Sequence, residues 1–187
     1  GERIALLGDN GTGKSTFIKC LLGEEDCQGK IQFGPTVKWG YLPQIIHFDH
    51  PERSLYDTML YEKNCTPQMA RDRLGAFLFQ GEDVFKTVGN LSGGEQSKLL
   101  LAMLFSRENR FLLIDEPTNH LDMESIQAVN KGLEAFPGVV LLASHDHELL
   151  TSTCNRVIAF QPDGTILDKY GTYDDYLAWM AERKQQG

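Results

Sequence analysis

Hydrophobic and polar residues follow two different patterns along the chain. Fully apolar runs of four or five residues, typical of strands buried on both faces, occur at 4–7, 111–114 and 139–143. Apolar residues at helical spacing occur at 16–22, 97–107 and 126–136. Because strand and helix patterns alternate, the sequence predicts an α/β fold with a mostly parallel central sheet.

Two other segments predict antiparallel pairs of strands. Residues 29–35 and 37–42 alternate apolar and polar positions on either side of a Gly-Pro turn, which favours a hairpin. Residues 156–160 and 165–167 flank a Pro-Asp-Gly turn and predict a closing hairpin. A final amphipathic helix is expected from about Asp174, and its inward-facing residues would be Tyr176, Leu177 and Met180.

Between residues 45 and 90 the strand pattern stops. Ser54 and Thr66 are N-cap candidates for two helices, and Pro67 suits the first position of the second helix. A third short helix is expected at 76–80. We therefore expect one domain over residues 1–187, with a core lobe of 1–44 and 91–187 and an inserted helical arm of about 45–90.

Composition restricts the class of protein. Hydrophobic residues make up 41% and charged residues 24% of the chain, as in an ordinary soluble globular domain. A net charge of −8 argues against this domain itself being the main electrostatic grip on nucleic acid. The four cysteines form no C-x-x-C pair, which favours reduced thiols and a cytoplasmic location. Since Gly1 lies directly before the first strand pattern, we expect a fragment of a longer protein.

The most specific candidate chemistry lies in Gly8-Asp9-Asn10-Gly11-Thr12-Gly13-Lys14-Ser15, which has the form G-x-x-x-x-G-K-S. A strand pattern precedes this stretch and a helix pattern follows it, as a phosphate-binding loop requires. Gly11 and Gly13 permit dihedrals that a Cβ would forbid, so that backbone amides and the helix N-terminus face an anion. Lys14 would reach the β- and γ-phosphates, and the Ser15 hydroxyl would bind Mg²⁺. The alternative is an incidental glycine-rich turn.

A second anion cradle is predicted where Leu91-Ser92-Gly93-Gly94-Glu95-Gln96 opens a helix. One chain does not need two cradles for one γ-phosphate. Two chains would need them if each offered its second cradle to the nucleotide of the other. The alternative is a glycine-rich helix start that binds nothing.

Two carboxylates, Asp115 and Glu116, end the apolar run at 111–114. Open α/β sheets place ligands at this position, so we expect Asp115 to hold Mg²⁺ through water and Glu116 to polarise an attacking water. Gln44 follows another strand pattern and would hold Mg²⁺ or orient water, although an ordinary loop glutamine fits as well.

His145 follows the apolar run at 139–143 and is a candidate γ-phosphate contact. A metal site formed by His145, Asp146 and His147 is a weaker alternative, since a helix is expected to start here. A third alternative is that Ser144 caps this helix and the histidines have no role.

The order of these motifs resembles that of an ABC-type ATPase cassette, a P-loop NTPase, over essentially the whole chain. Leu91-Ser92-Gly93-Gly94-Glu95 is the most specific part of the resemblance. Within this superfamily, Thr118-Asn119-His120-Leu121-Asp122, Ser144-His145-Asp146-His147 and the Tyr170–Leu177 segment resemble the ABC-F branch, more like its second cassette than its first. ABC-F proteins carry two cassettes in tandem, without membrane spans, and many act on the ribosome.

The resemblance implies ATP and Mg²⁺ as cofactors and assigns a role to each matching residue. The implied phosphate-loop residues are Gly8, Asp9, Asn10, Gly11, Thr12, Gly13, Lys14, Ser15 and Thr16. The implied residues that complete the opposite cassette's site are Ser92, Gly93, Gly94 and Glu95, and Asp122 matches the loop that crosses between cassettes. The implied Mg²⁺ contacts are Ser15, Gln44 and Asp115. The implied catalytic residues are Glu116, His145 and Gln44.

The implied partners are a second cassette and the ribosome. Hydrolysis by the isolated chain should be weak, because half of each site comes from the other cassette. The family's adenine-stacking aromatic residue lies upstream of the phosphate-loop strand and is not expected in this chain. Two other functions stay open: a nucleotide-gated clamp in which hydrolysis serves only release, and the motor subunit of a membrane transporter.

Overall fold

The computed structural model describes residues 1–105 and 108–186, which form a six-stranded sheet covered by helices on both faces. The strands are β1 (Arg3–Leu7), β2 (Lys38–Leu42), β3 (Asn109–Asp115), β4 (Val139–Ala143), β5 (Arg156–Phe160) and β6 (Ile166–Tyr170). The α-helices are α1 (Lys14–Leu22), α2 (Leu55–Glu62), α3 (Pro67–Ala76), α4 (Gly93–Leu104), α5 (Met123–Ala135), α6 (His147–Thr153) and α7 (Tyr173–Gln186). Two short 3-10 helices span Gly81–Phe85 and Val88–Asn90.

The sheet has the order β2-β3-β4-β1-β5-β6. Each neighbouring pair of strands from β2 to β5 in this order is parallel. Its apolar strands are buried on both faces, which explains why they read as continuous hydrophobic runs. Leu112 and Ile114 pack on the face that holds α4 and α5, whereas Leu113 and Leu6 pack on the opposite face with α1. The predicted α/β fold with a mostly parallel sheet is confirmed.

The hairpin predicted over residues 29–42 is wrong. In that range only Lys38–Leu42 forms a strand, and it pairs in parallel with β3, so that Gly40 lies opposite Leu112. The apolar residues upstream pack through their side chains instead, since Phe33 stacks on Trp39 with ring centroids 5.6 Å apart. The closing hairpin is confirmed, because β5 and β6 pair antiparallel, with Phe160 opposite Ile166.

Local capping signals located the starts of α2 and α3. Ser54 and Thr66 accept hydrogen bonds from the backbone N–H groups three residues further on, as predicted for the starts of α2 and α3. The third helix predicted at 76–80 is wrong, because α3 ends at Ala76 and Leu78 adopts a left-handed φ of 68°. In α7 Tyr176 is buried as expected, whereas Leu177 is 39% exposed and does not face inward.

Helix α4 starts earlier than its apolar spacing indicates. Ser92 and Glu95 form a reciprocal capping box, and this box sets the helix start at Gly93 rather than Ser97. The predicted end at Arg107 lies outside the described residues.

The segment 45–90 contains α2, α3 and both 3-10 helices. Its buried residues Leu55, Met59 and Leu74 belong to the same hydrophobic cluster as Leu99 and Leu101 of α4. The segment is therefore packed directly on α4. Its role as a separate helical arm stays a prediction. None of the described helices is both long and apolar enough to span a membrane.

Candidate functional site

Four predicted site segments follow the carboxyl ends of four adjacent parallel strands. Gln44 lies two residues after β2, Glu116 follows β3, His145 lies two residues after β4 and Gly8 follows β1. Because neighbouring parallel strands end at the same edge of a sheet, the topology brings these segments together.

The phosphate loop leaves the N-terminus of α1 open to an anion. Gly13 is the N-cap residue with a left-handed φ of 97°, and it offers no side chain to cap the helix. The residues that line the resulting cavity of about 290 Å³ are Asp9, Asn10, Gly11, Gly13, Lys14, Ser15 and Thr16. The backbone N–H groups of the first turn therefore have no side-chain N-cap acceptor, as phosphate binding requires.

The two other predicted loop residues, Gly8 and Thr12, shape the loop rather than line the cavity. The Thr12 hydroxyl donates to Asp9 O at 2.8 Å and closes a turn. A Cβ on Gly8 would lie 2.5 Å from the Thr12 oxygen and 3.1 Å from Phe160 Cβ, so a larger residue at position 8 would push the loop away from β5.

Asp115 is the last residue of β3, and its partly buried carboxyl group is subject to opposing influences on its pKa. Burial raises the pKa of its carboxyl group, while the charge of Lys14 and a hydrogen bond from Gln44 act in the opposite direction. Residues that the sequence separates by more than 70 positions are thus close enough to interact. The predicted Mg²⁺ contacts Gln44 and Asp115 lie side by side.

Glu116 has a strained backbone conformation and lies next to His145. Its φ of 50° is left-handed, and its backbone N–H donates to Ala143 O of β4 at 2.8 Å. Its Oε1 lies 3.4 Å from His145 Nε2, and its side chain is only 10% exposed. Burial raises the pKa of this carboxyl group, and the nearby His145 partly offsets the effect. A strained residue of this kind persists where its surroundings fix it, as at many active sites.

A second cavity of about 260 Å³ joins the two catalytic candidates Gln44 and Glu116. Asn119 and Gln96 also line it, together with Gly93 of α4. Asn119 lies in the stretch 118–122 and Gln96 in the stretch 91–96, but the sequence patterns predict no role for either residue. Only the folded chain shows that these residues line the same cavity as the candidate catalytic residue Glu116.

The two histidines after β4 face different partners. His147 Nε2 lies 3.5 Å from Asp174 Oδ1, whereas His145 lies beside Glu116. Within residues 1–105 and 108–186 no group of three or more potential ligands could hold a metal ion. The Ser144 hydroxyl accepts the N–H of Asp146 at 3.1 Å, and Asp146 rather than Ser144 is the N-cap of α6.

The second glycine pair, Gly93 and Gly94, lies at the start of α4, where Gly93 also lines the cavity of Gln44 and Glu116. Ser92 and Gly93 are exposed, whereas Gly94 is buried against His120. The Ser92 hydroxyl accepts the N–H of Glu95 at 3.3 Å and keeps its own proton available for a ligand. This surface shares no lining residue with the phosphate-loop cavity. Within this chain the two cradles therefore line different cavities.

Glu95 and Asp122, two further predicted residues, are used within the chain. The Glu95 carboxylate accepts the N–H of Ser92 at 2.9 Å and lies 3.4 Å from Lys86 Nζ. The hydrogen bond to the Ser92 backbone lowers the pKa of Glu95. Asp122 caps α5 by accepting the N–H of Ser125 at 2.8 Å. Both side chains fix the helix starts that carry the candidate surface.

Comparison with known proteins agrees with the class that this geometry defines, a P-loop nucleotide-binding cassette. The family described as "ABC transporter" matches residues 1–119. The match covers more than half of the 187 residues, so the chain belongs to the ABC family of ATP-binding cassettes.

Three curated bacterial proteins are similar over nearly the whole chain. The ATP-binding protein Uup of Buchnera aphidicola is 37% identical over 180 residues, which cover 93% of this chain and 30% of Uup. YheS of Haemophilus influenzae is 37% identical over 98% of this chain and 29% of its own length. YbiT of Escherichia coli O157:H7 is 36% identical over 95% of this chain and 34% of its own. These relatives confirm the resemblance to an ABC-F cassette; the assignment to the second cassette stays a prediction.

The chain spans about a third of the length of the curated relatives it matches. Among solved structures, RNase-L Inhibitor superposes with a TM-score of 0.73 and 26% identity over 97% of this chain and 37% of its own. The complex of the archaeal ribosome recycling factor aABCE1 with the stalk protein aP1 gives a TM-score of 0.72 and 25% identity, also over 97% and 37%. The cassette fold is therefore confirmed.

The two glycines at the start of α4 should respond differently to alanine. A Cβ on Gly94 would lie 2.5 Å from His120 O, whereas a Cβ on Gly93 would meet nothing within 4 Å. We expect Gly94→Ala to cost about 1–3 kcal/mol of stability through overpacking. The matched variant Gly93→Ala should be as stable as the parent or slightly more stable, since alanine favours a helix. Thermal unfolding in one buffer compares the variants, and equal midpoints would contradict the contact.

Proposed function

We propose that the chain binds and hydrolyses ATP as an ABC-F type cassette that pairs with a second cassette. The observation that carries this proposal is the meeting of the phosphate loop, Gln44, Asp115, Glu116 and His145 at one edge of the parallel sheet. An anion cradle, oxygen donors for a hard cation and a buried carboxylate are the groups that phosphoryl transfer to water requires.

The side chains at this edge fit Mg²⁺ bound together with ATP. Ser15, Gln44 and Asp115 offer hydroxyl, amide and carboxylate oxygens, which are the ligands that this cation prefers. Mg²⁺ would neutralise charge on the phosphate oxygens. Lys14 adds a second positive charge, and this charge acts to lower the pKa of both Asp115 and Glu116. The loop amides at Gly11 and Gly13 complete the phosphate cradle.

Glu116 is the proposed general base. Its raised pKa makes the carboxylate a better proton acceptor than a freely exposed glutamate. The left-handed backbone and the hydrogen bond to Ala143 hold this group in place before substrate arrives. His145, 3.4 Å away, is suited to donate a hydrogen bond to the γ-phosphate and to orient water. The predicted role of Gln44 combines cation binding with positioning of this water.

Pairing supplies the part of the site that one chain lacks. We propose that the exposed Ser92 and Gly93 of one cassette face the phosphate loop of its partner, with the Ser92 hydroxyl and the first amides of α4 as donors. The segment from His120 to Asp122 lies next to this surface and would cross the interface. Hydrolysis by an unpaired chain should accordingly be weak.

Replacing the proposed base should stop hydrolysis but keep ATP binding. We expect Glu116→Gln to lower single-turnover hydrolysis by about 10²–10⁴-fold, the usual contribution of a general base. Its amide preserves size and hydrogen bonding, so ATP should hold two cassettes together. Gel filtration with and without ATP measures this pairing. Glu108→Gln is the matched control, because Glu108 lies just before the other end of β3 and pairs with Lys38 on the surface. Undiminished hydrolysis by Glu116→Gln would remove the assigned role.

We further propose that the whole protein is a soluble cytoplasmic factor that acts on the ribosome, with hydrolysis driving its release. One observation supports this. One structural neighbour is, by its description, a ribosome recycling factor in complex with a ribosomal stalk protein.

Sedimentation of ribosomes tests this part of the proposal. Full-length protein carrying Glu116→Gln, and the equivalent change in its other cassette, should pellet with ribosomes through a sucrose cushion in ATP but not in ADP. The control is the same protein with Lys14→Ala, which should stay in the supernatant because phosphate binding is lost. Recovery of the protein in a detergent-extracted membrane complex, without ribosome binding, would favour a transporter motor instead.

A further inference from the structure

The segment from Tyr170 to Asp175 matches a family motif but contributes no residue to the candidate site. It forms the end of β6 and the start of α7, and it lies against the helix that follows His145. Asp174 Oδ1 lies 3.5 Å from His147 Nε2 and accepts the Thr151 hydroxyl at 3.4 Å. The Tyr173 ring meets the His147 ring edge-on, with centroids 5.1 Å apart. The segment therefore contacts both the first residue and the middle of α6.

The start of α7 is itself fixed to the sheet. Thr172 N donates to Asp175 Oδ2 at 2.8 Å, and Asp175 N donates to Thr172 Oγ1 at 3.2 Å. Gly171 has a left-handed φ of 127°, and a Cβ at this position would lie 2.9 Å from Asp175 Oδ2. The Gly171 N–H donates to Asn155 O next to β5 at 3.1 Å. These contacts fix the start of α7, and α6 packs against it.

His145 depends on its neighbours for its position. Its side chain is 71% exposed, and Glu116 is the ion-pair partner that the described residues give it. It lies between Ser144, which is buried after β4, and Asp146, which caps α6. The hydrogen bond from Asp146 N to Ser144 Oγ makes this connection tight. A displacement of the first turn of α6 would therefore act on His145, which directly precedes the N-cap residue Asp146.

Helix α6 has seven residues and is held at both ends by other helices. Near its C-terminus, the hydroxyls of Ser152 and Thr153 both donate to Asn130 Oδ1 of α5 at 2.9 Å. Its N-terminus rests on Tyr173 and Asp174. An exposed His–Asp contact stabilises little by itself, so the packing of the partly buried Tyr173 should matter more.

We propose that Tyr173 and Asp174 are positioning residues for His145: they hold the first turn of α6 and thereby keep the imidazole beside Glu116. The catalytic consequence rests on the proposed ATPase function, whereas the structural coupling does not. The C-terminal helix would then be a place from which a contact outside the site could alter hydrolysis.

The coupling can be measured without nucleotide. In the full chain labelled at histidine carbons, Tyr173→Ala should shift or broaden the ¹³Cε1–¹H NMR signal of His145, which His145→Gln identifies. Tyr173→Phe should leave it in place, because the edge-on contact needs the ring and not the hydroxyl. Leu177→Ala, an exposed position on the same helix, is the matched control. If Tyr173→Ala moves only the His147 signal, the proposal is wrong. Asp174→Asn provides a milder variant should Tyr173→Ala not fold.

Steady-state hydrolysis tests the catalytic consequence, at a chain concentration that saturates pairing. Tyr173→Ala should lower kcat about tenfold, as expected for a displaced catalytic group, with KM for ATP within about twofold because the phosphate loop is untouched. Tyr173→Phe should restore kcat. An unchanged kcat, or a KM that rises as kcat falls, would overturn the assignment. If the parent chain itself hydrolyses no ATP, the proposed function fails and the NMR comparison alone decides the coupling.

Discussion

Parallel pairing of β3 with β4 is the constraint on which the candidate site depends. It places Asp115 opposite Ala143, and the next peptide closes the edge through the hydrogen bond from Glu116 N to Ala143 O. Glu116 must then turn into a left-handed conformation, which brings its carboxylate beside His145. Because β1 pairs with the other side of β4, the same edge also carries the phosphate loop. Moving one strand by one residue would separate the groups that the chemistry requires.

The same architecture supports the proposal that one chain is incomplete. The sheet edge assembles a candidate phosphate cradle and a candidate base, but the capping box of Ser92 and Glu95 turns the second candidate cradle toward solvent. Gly94 packs on the backbone of His120, so this surface is tied to the segment that follows the candidate base. Closure of two cassettes around ATP would therefore act on Ser92 and on the Glu116 region together, which offers a physical route from nucleotide state to a change of shape.

Sequence patterns predicted the features that arise from local interactions. The buried strands, the caps at Ser54 and Thr66 and the phosphate loop were all visible in short stretches. The hairpin predicted at 29–42 is wrong because β2 pairs with β3, which lies far along the chain. A local sequence pattern does not indicate such a distant strand partner. The left-handed Glu116 and the shared cavity of Gln96, Asn119 and Gln44 also follow from tertiary packing. Assignment of roles came from the phosphate-loop motif, from positions at strand ends and from the family resemblance rather than from periodicity.

A mixing experiment tests most directly whether two chains share each site. One chain carries Lys14→Ala, which removes the phosphate-loop charge, and the other carries Gly93→Asp, which places a negative charge on the open second cradle. Each variant alone should show background hydrolysis, because neither of its paired sites is intact. In an equal mixture about half of the pairs should contain both variants, and each such pair has one intact site out of two. The mixture should therefore recover about a quarter of the parental rate. A mixture no more active than the mean of the two variants would contradict the shared site.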